Sequence, residues 1–201
     1  KQKLNYAFMR EDLQNLVKET QEGVGRVKGI IQDLKDYART NAAANYVASD
    51  IQVGLKSTLN IARAELKNRA DVRLELGKLP LVECAPSQID QVFLNLIVNA
   101  AQAMPEGKMG LIDIRTDCDD TNVWIEVQDN GPGIPPEILK KIFDPFFTTK
   151  GPGTGTGLGL SVSTNIIQQH GGTLDVASTV GVGTTFKITL PIKRPVAKGS
   201  R

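Results

Sequence analysis

Between residues 88 and 104 the chain reads QIDQVFLNLIVNAAQAM, and at 3.6 residues per turn most positions not held by an amide are apolar. Ile89, Val92, Phe93, Leu94, Leu96, Ile97, Val98, Ala100 and Ala101 predict a helix buried on most sides. Gln88, Gln91, Asn95, Asn99 and Gln102 are spaced three, four, four and three apart and so share one face. A solvated face is usually built from Lys and Glu, and Asn is a poor helix former. An amide stripe on a buried helix therefore points to a concealed polar object. That object is either a hard cation or phosphate, whose surroundings amide oxygens join without adding charge, or a hydrogen-bond ladder to neighbouring backbone.

Elsewhere the pattern predicts other elements. Leu13, Val17, Thr20, Val24, Val27, Ile31, Leu34 and Ala38 recur in steps of four and three, the seam of a long helix over residues 1–40. Gly23, Gly25 and Gly29 each cost such a helix about 1 kcal/mol, so its seam needs a partner helix to hold it. Residues 41–48 read as a linker, 49–53 as a short strand and 55–68 as a helix. Alternating stretches at 71–76 and 81–84 read as strands, as do 110–116 and 123–128 on either side of a polar turn. A helix over 158–170 stops at Gly171 and Gly172, and 173–178 pairs with 184–191 as a hairpin. Residues 192–201 form a basic tail expected to be disordered. Strands and helices mix without regular alternation, so the fold class is α+β, a two-layer sandwich with helices on one face of a sheet.

Composition narrows the function. The 201 residues, 40% hydrophobic and 23% charged, fit one soluble domain with an appendage. No run approaches the length of a membrane span, and no membrane contact by this stretch is expected. Residues 1–40 carry eight basic and six acidic side chains and 191–201 carry four and none, leaving twelve against sixteen between. A mildly acidic globular part without a basic stripe disfavours nucleic acid as a partner. Cys84 and Cys118 lack metal-ligand spacing and read as two reduced thiols, which suits a cytoplasmic protein.

Two glycine loops carry candidate chemistry. DNGPGIP at 129–135 places Asp129 at a strand end, where it can accept from an exocyclic amine such as that of adenine. Gly131 and Gly133 would let a flat ring approach the backbone there; an ordinary turn is the plainer alternative. GPGTGTGLGLS at 151–161 strips side chains from a loop that opens directly into a helix. That brings backbone N–H groups and a helix N-terminus to one place, as a polyphosphate site requires. It fits neither a P-loop nor a dinucleotide GxGxxG fingerprint. Lys150, just ahead of it, either neutralises phosphate or is simply solvated.

NLIVNA, DNGPGIP, IFDPFFTTK, GTGTGLGLS and GVGTTF occur in the order of the N, first glycine, F, second glycine and third glycine boxes of the GHKL superfamily. With its F box, the set from about 49 to 191 resembles the catalytic ATP-binding domain of two-component sensor histidine kinases, a Bergerat-type fold. Residues 25–39 resemble the second helix of that family's dimerisation and phosphotransfer hairpin. The resemblance implies ATP and Mg²⁺ as cofactors, with Asn99 ligating the metal and Asn95 one turn earlier near the phosphates. Asp129 would hold the adenine amine, with Gly131, Gly133 and Ile134 shaping the floor beneath it. Phe143, Phe146 and Phe147 would anchor a lid whose phosphate end carries Thr149 and Lys150. Gly155, Thr156, Gly157, Leu158, Gly159 and Leu160 would surround the phosphates. Thr184 or Thr185 would support the adenine site. Many family members carry Lys where Gln102 stands, so a cationic contact from that position is lost.

Gyrase-like relatives have a water-activating Glu at the position of Asn95, and an amide cannot take that proton. The resemblance therefore implies a protein-histidine kinase, not a hydrolase or serine kinase; a non-catalytic ATP-binding switch is the other alternative. The family's acceptor lies in a His-acidic motif on the first hairpin helix, which this chain lacks. His170 would stand about 18 Å from the helix end that holds the phosphates, too far to receive them, and reads as a structural residue favoured by the helix dipole. The expected partners are that missing helix, a response regulator and a second copy through the N-terminal helix. The chain alone is expected not to phosphorylate itself.

Overall fold

In the computed structural model, residues 9, 10, 12–17, 19, 20, 23, 24, 45–150 and 155–194 are described. The described residues of the first forty are helical, and Met9, Leu13, Leu16, Val17 and Val24 are 49–64% exposed. Val27, Ile31, Leu34 and Ala38 of the expected seam lie outside the described residues.

The first strand, β1 (Val47–Ser49), spans the end of the stretch read as linker and the first residue of the expected strand. Helix α1 (Ile51–Ile61) starts where a strand was expected, because the Asp50 carboxylate accepts from Gln52 N–H at 2.9 Å and caps it. The continuous helix expected to 68 breaks at Ala62 into the short α2 (Arg63–Leu66). Strands β2 (Ala70–Leu76) and β3 (Val82–Cys84) precede the long α3 (Pro86–Ala103). Then come β4 (Gly110–Cys118), β5 (Asn122–Asp129), a one-turn 3-10 helix (Lys141–Phe143), α4 (Gly159–Gln169), β6 (Thr173–Thr179) and β7 (Gly183–Pro191).

Five strands form one sheet in the order β2-β4-β5-β7-β6. The expected hairpins pair antiparallel, but β2 runs parallel to β4, since the chain crosses over through α3 between them. Strand β3 is not part of this sheet; it pairs antiparallel with β1. The apolar face of α3 buries Ile89, Val92, Phe93, Leu96, Ile97, Ala100 and Ala101, and α4 adds Val162, Ile166 and Ile167. They meet Ile112, Ile114, Val123, Ile125, Val127, Phe186, Ile188 and Leu190 of the sheet. Each such side chain stabilises the fold by about 1.5–3 kcal/mol on burial, which makes this layer contact the core.

The opposite sheet face is polar. Glu75, Arg115, Glu126, Lys187 and Asp175 pair in register across all five strands, alternating in sign. Arg115 meets Glu75 at 2.8 Å and Lys187 meets Glu126 at 3.1 Å. Lys187 also lies 5.3 Å from the Trp124 ring centre. The layers are therefore two, with one sheet face left to water.

Residues 192–194, expected to open a loose tail, are tied down. Glu83 N–H donates to Ile192 O at 2.9 Å, and Arg194 N–H donates to the Glu83 carboxylate at 3.0 Å. The Arg194 guanidinium stacks 3.7 Å from the Tyr46 ring centre, a cation–π contact that fastens both ends of the domain together.

Candidate functional site

The predicted amide stripe divides into separate tasks. Gln88 begins it with a buried Oε1 that has no partner among the described residues. Asn95, halfway along α3, donates from Nδ2 to Gly159 O at 3.1 Å and to Ser163 Oγ at 3.2 Å. It therefore holds the first turn of α4, the ladder reading of the stripe. One turn on, Asn99 Oδ1 accepts from the Lys150 ammonium at 3.4 Å, and Gln102 Oε1 accepts from the same ammonium. Here two amide oxygens of the stripe accept from an ammonium of the chain itself. Burial, and then the charge of Arg69, hold the Lys150 pKa below its usual range, while Glu65 opposes the shift.

The last turn of α3 leads to the second cluster. A Cβ at Gly131 would lie in ordinary contact with that of Ala103, 3.5 Å away, but 2.9 Å from Asp129 Oδ1, so a larger residue there would push the carboxylate. Asp129 ends β5 and is 5% exposed, and its Oδ1 accepts from Gly131 N–H at 2.8 Å. Burial raises its pKa, and the N–H bonds from Gly131 and Thr184 partly oppose that.

Across the sheet Asp129 pairs with Thr184 and Gln128 with Thr185. Thr184 therefore shares the inner face with Asp129, and Thr185 points with exposed Gln128 to the open face. The two threonines left open by the sequence are thus separated, and Thr185 is not brought to the cluster. Ser178, which sequence reasoning missed, ties this floor together. Its Oγ accepts from Ile134 N–H at 2.8 Å, donates to Gly183 O at 2.9 Å and lies 2.9 Å from Thr184 Oγ1. The only signal for it was a small polar residue in a strand.

The segment between the clusters folds back on the glycine loop. Phe146 N–H donates to Gly157 O at 3.0 Å, and both residues have positive φ, 67° and 69°. A Cβ on Gly157 would lie 2.4 Å from the Phe146 carbonyl carbon, so the two backbones meet only because residue 157 is glycine. Phe143 and Phe147 pack on the core, whereas Phe146 is 68% exposed. A Cβ on Gly155 would stand 3.0 Å from Thr148 Oγ1 and 3.3 Å from Lys150 Cδ, so this side of the loop is also close. Thr149 is exposed, Thr156 Oγ1 accepts from Leu158 N–H at 3.4 Å, and Leu158 is buried with half-buried Leu160 beside it. Residues 151–154 of the expected phosphate loop lie outside the described residues.

His170 lies at the far end of α4. Its Nδ1–H donates to Ile166 O at 2.7 Å, and its Nε2 accepts from Ala85 N–H at 3.0 Å. With one nitrogen donating and the other accepting, the ring is neutral, so the dipole argument for a charged imidazole does not apply. Burial lowers its pKa, opposed by the Ile166 carbonyl and reinforced by Arg194. Ala85 is the N-cap of α3 and offers no capping side chain, so His170 locks the end of α4 to the start of α3. Gly171, at φ 75°, and Gly172 close α4 through bonds to Gln168 O and Ile167 O, the C-terminal stop expected from the sequence. Cys84 and Cys118 are free thiols, and burial pushes Cys84 up to about 11.

No His, Cys, Asp or Glu cluster fit for a metal occurs among the described residues, and none of their helices is long and apolar enough to cross a membrane. The residues do fit a magnesium nucleotide. Asn99 and Gln102 already turn amide oxygens toward a positive charge, and Asp129 offers a buried carboxylate against a glycine-lined floor.

Comparison with known proteins identifies the family and the fold. The sequence profile of the family described as histidine kinase-, DNA gyrase B-, and HSP90-like ATPase matches residues 84–194. The nucleotide-free catalytic domain of histidine kinase ThkA is 33% identical, with a TM-score of 0.66 over 75% of this chain and 97% of that one. ThkA in complex with response regulator protein TrrA is 27% identical, with a TM-score of 0.72 over 90% of this chain and 51% of that one. Sporulation kinase E of Bacillus subtilis (strain 168) is 35% identical over 84% of this chain and 23% of its own length. Sensor histidine kinase ZraS of Escherichia coli (strain K12) is 36% identical over 83% of this chain and 35% of its own. The chain thus spans about a quarter to a third of the curated relatives it matches. It belongs to the family of histidine kinase-, DNA gyrase B- and HSP90-like ATPases, with the α+β fold of a histidine kinase catalytic domain.

Proposed function

We propose that the cleft between α3 and the glycine loop binds ATP with Mg²⁺. In this reading the chain supplies the catalytic part of a protein-histidine kinase. The γ-phosphoryl goes to a histidine on a helix that is not in this chain, for relay to an aspartate of a response regulator. Asp129 accepts from the adenine amine over Gly131, Gly133 and Ile134, with Thr184 behind it. Asn99, and Gln102 beside it, face the metal and phosphates with their amide oxygens. Lys150 and the N–H groups from Gly155 to Leu160 face the phosphoryl oxygens. Bound magnesium would neutralise phosphate charge during transfer, and the protein contributes positioning and backbone dipoles.

One observation carries the choice of kinase over hydrolase. Asn95 stands where a general base would act on water, yet its amide nitrogen donates to Gly159 O and Ser163 Oγ. Nothing on that side chain can take a proton from water, so ATP is held intact until a protein acceptor arrives. The ThkA–TrrA complex supports the response regulator as downstream partner. The exposed apolar positions of the N-terminal helix support a hairpin partner and dimerisation through residues 1–40, and the free thiols a cytoplasmic site.

The test supplies the acceptor helix in trans. Incubation with magnesium-ATP should place an acid-labile, alkali-stable phosphate on the added helix and none on this chain, with slow release of free phosphate. Labelling of His170, or rapid hydrolysis by the chain alone, would overturn the assignment.

A further inference from the structure

Lys150 comes from the segment read as a lid, yet its ammonium reaches two side chains of α3. Its acceptors are Asn99 Oδ1 and Gln102 Oε1, 51 and 48 residues away in sequence. Both are neutral amide oxygens. The ion pairs among the described residues, Arg115–Glu75 and Lys187–Glu126, lie on the open sheet face. The half-buried ammonium is therefore solvated by carbonyl-type oxygens, without a countercharge bonded to it. The oxygens it uses are of the kind that enters a magnesium shell.

We propose that Lys150 is a latch that ties the lid segment to α3, and that an incoming phosphate releases it. This rests on the nucleotide reading above and specifies its regulation. Until then the lysine pins the lid to the last turns of α3 and occupies the amide oxygens that a metal would use. When a phosphate enters, the ammonium exchanges two neutral acceptors for an anionic one, a stronger bond. Asn99 and Gln102 are thereby freed to face the metal. Lid contact and metal access thus exclude one another until phosphate is present.

The test is a double-mutant cycle read by amide hydrogen exchange on the 201-residue chain without nucleotide. Lys150→Met and Gln102→Met should each speed exchange over residues 143–150 about tenfold, the loss expected for a hydrogen bond to a charged group. The double variant should exchange no faster than the single ones, because both remove one contact. Saturating magnesium-ADP should restore protection in Gln102→Met and fail to restore it fully in Lys150→Met. Unchanged exchange in nucleotide-free Lys150→Met, or additive effects of the two changes, would overturn the latch. Absence of binding heat for magnesium-ADP on the unmodified chain would sink the nucleotide reading and the release step, while the cycle still decides whether the lid is pinned.

Discussion

Around Asp129 the candidate groups are fixed by strand register; around Lys150 they are fixed by side chains reaching between separate segments. Asp129 and Thr184 are paired residues of β5 and β7, with Gly131, Ser178 and Gly183 bonded around them. Distorting that end means distorting the sheet. Lys150, Asn99 and Gln102 meet through one ammonium, and Phe146 meets Gly157 through one backbone bond. That end can open locally while the core stays folded. The Asp129 end is thus suited to recognition and the Lys150 end to motion, although the same helix, α3, serves both.

The contrast can be broken most sharply at Asp129. Asp129→Ala should weaken ATP binding about a hundredfold by calorimetry, through loss of a charged acceptor and an orphaned Gly131 N–H. A loss below threefold would mean that this floor is not the base site. Two glycine substitutions sharpen it further. Gly133 has φ 74°, and a Cβ there would stand 2.2 Å from Thr179 O. Gly133→Ala should therefore lower global stability by about 2–3 kcal/mol in urea unfolding. Gly157→Ala meets lid backbone instead, and should leave the midpoint nearly unchanged while weakening nucleotide binding. Equal losses of stability would erase the distinction between the two ends.

Asn95→Glu falls between them. It removes the donor to Gly159 and Ser163 and sets a carboxylate against two oxygens, so a cost of about 1–2 kcal/mol is expected, with nucleotide binding retained. The smallest effect is at His170, remote from both. Its folded-state pKa is depressed, so the unfolded chain binds a proton that the folded one resists. Its stabilising contribution is full above about pH 6.5, the ordinary histidine value, and is lost as pH falls below that. The melting temperature of the unmodified chain should decline from pH 7.5 to 5.5 more steeply than that of His170→Gln; parallel profiles would remove the lock from the account.

What the sequence made legible was periodic or local. The amide stripe, the glycine-opened helix and the Gly171–Gly172 stop each depend on spacing along one element, and all three reappear in the structure. Asp50 is local too, but a capping Asp before a β-branched residue was read as part of a strand. The rest depends on partners distant in sequence. That Asn95 bonds to α4 while Asn99 meets a lid lysine follows from how α3 and α4 pack, which no spacing encodes. Thr184 and Thr185 were indistinguishable until the register showed which one faces Asp129. His170 was placed correctly at a helix end, yet its neutral state is set by Ala85, on another element.

The alternating charges on β2, β4 and β5 guard against a folding error that burial alone cannot detect. A strand displaced by one residue turns its apolar side outward, but one displaced by two keeps that side inward. For β4 against β5 such a slip brings either Asp113 or Asp117 opposite Glu126. For β2 against β4 it sets Arg73 opposite Arg115 in one direction, or Glu75 opposite Asp113 in the other. Each such clash costs only about 0.2–1 kcal/mol, but it replaces an attraction, and either two-residue slip of β2 on β4 or of β4 on β5 meets one. The polar face thereby proofreads the alignment that the covered face needs.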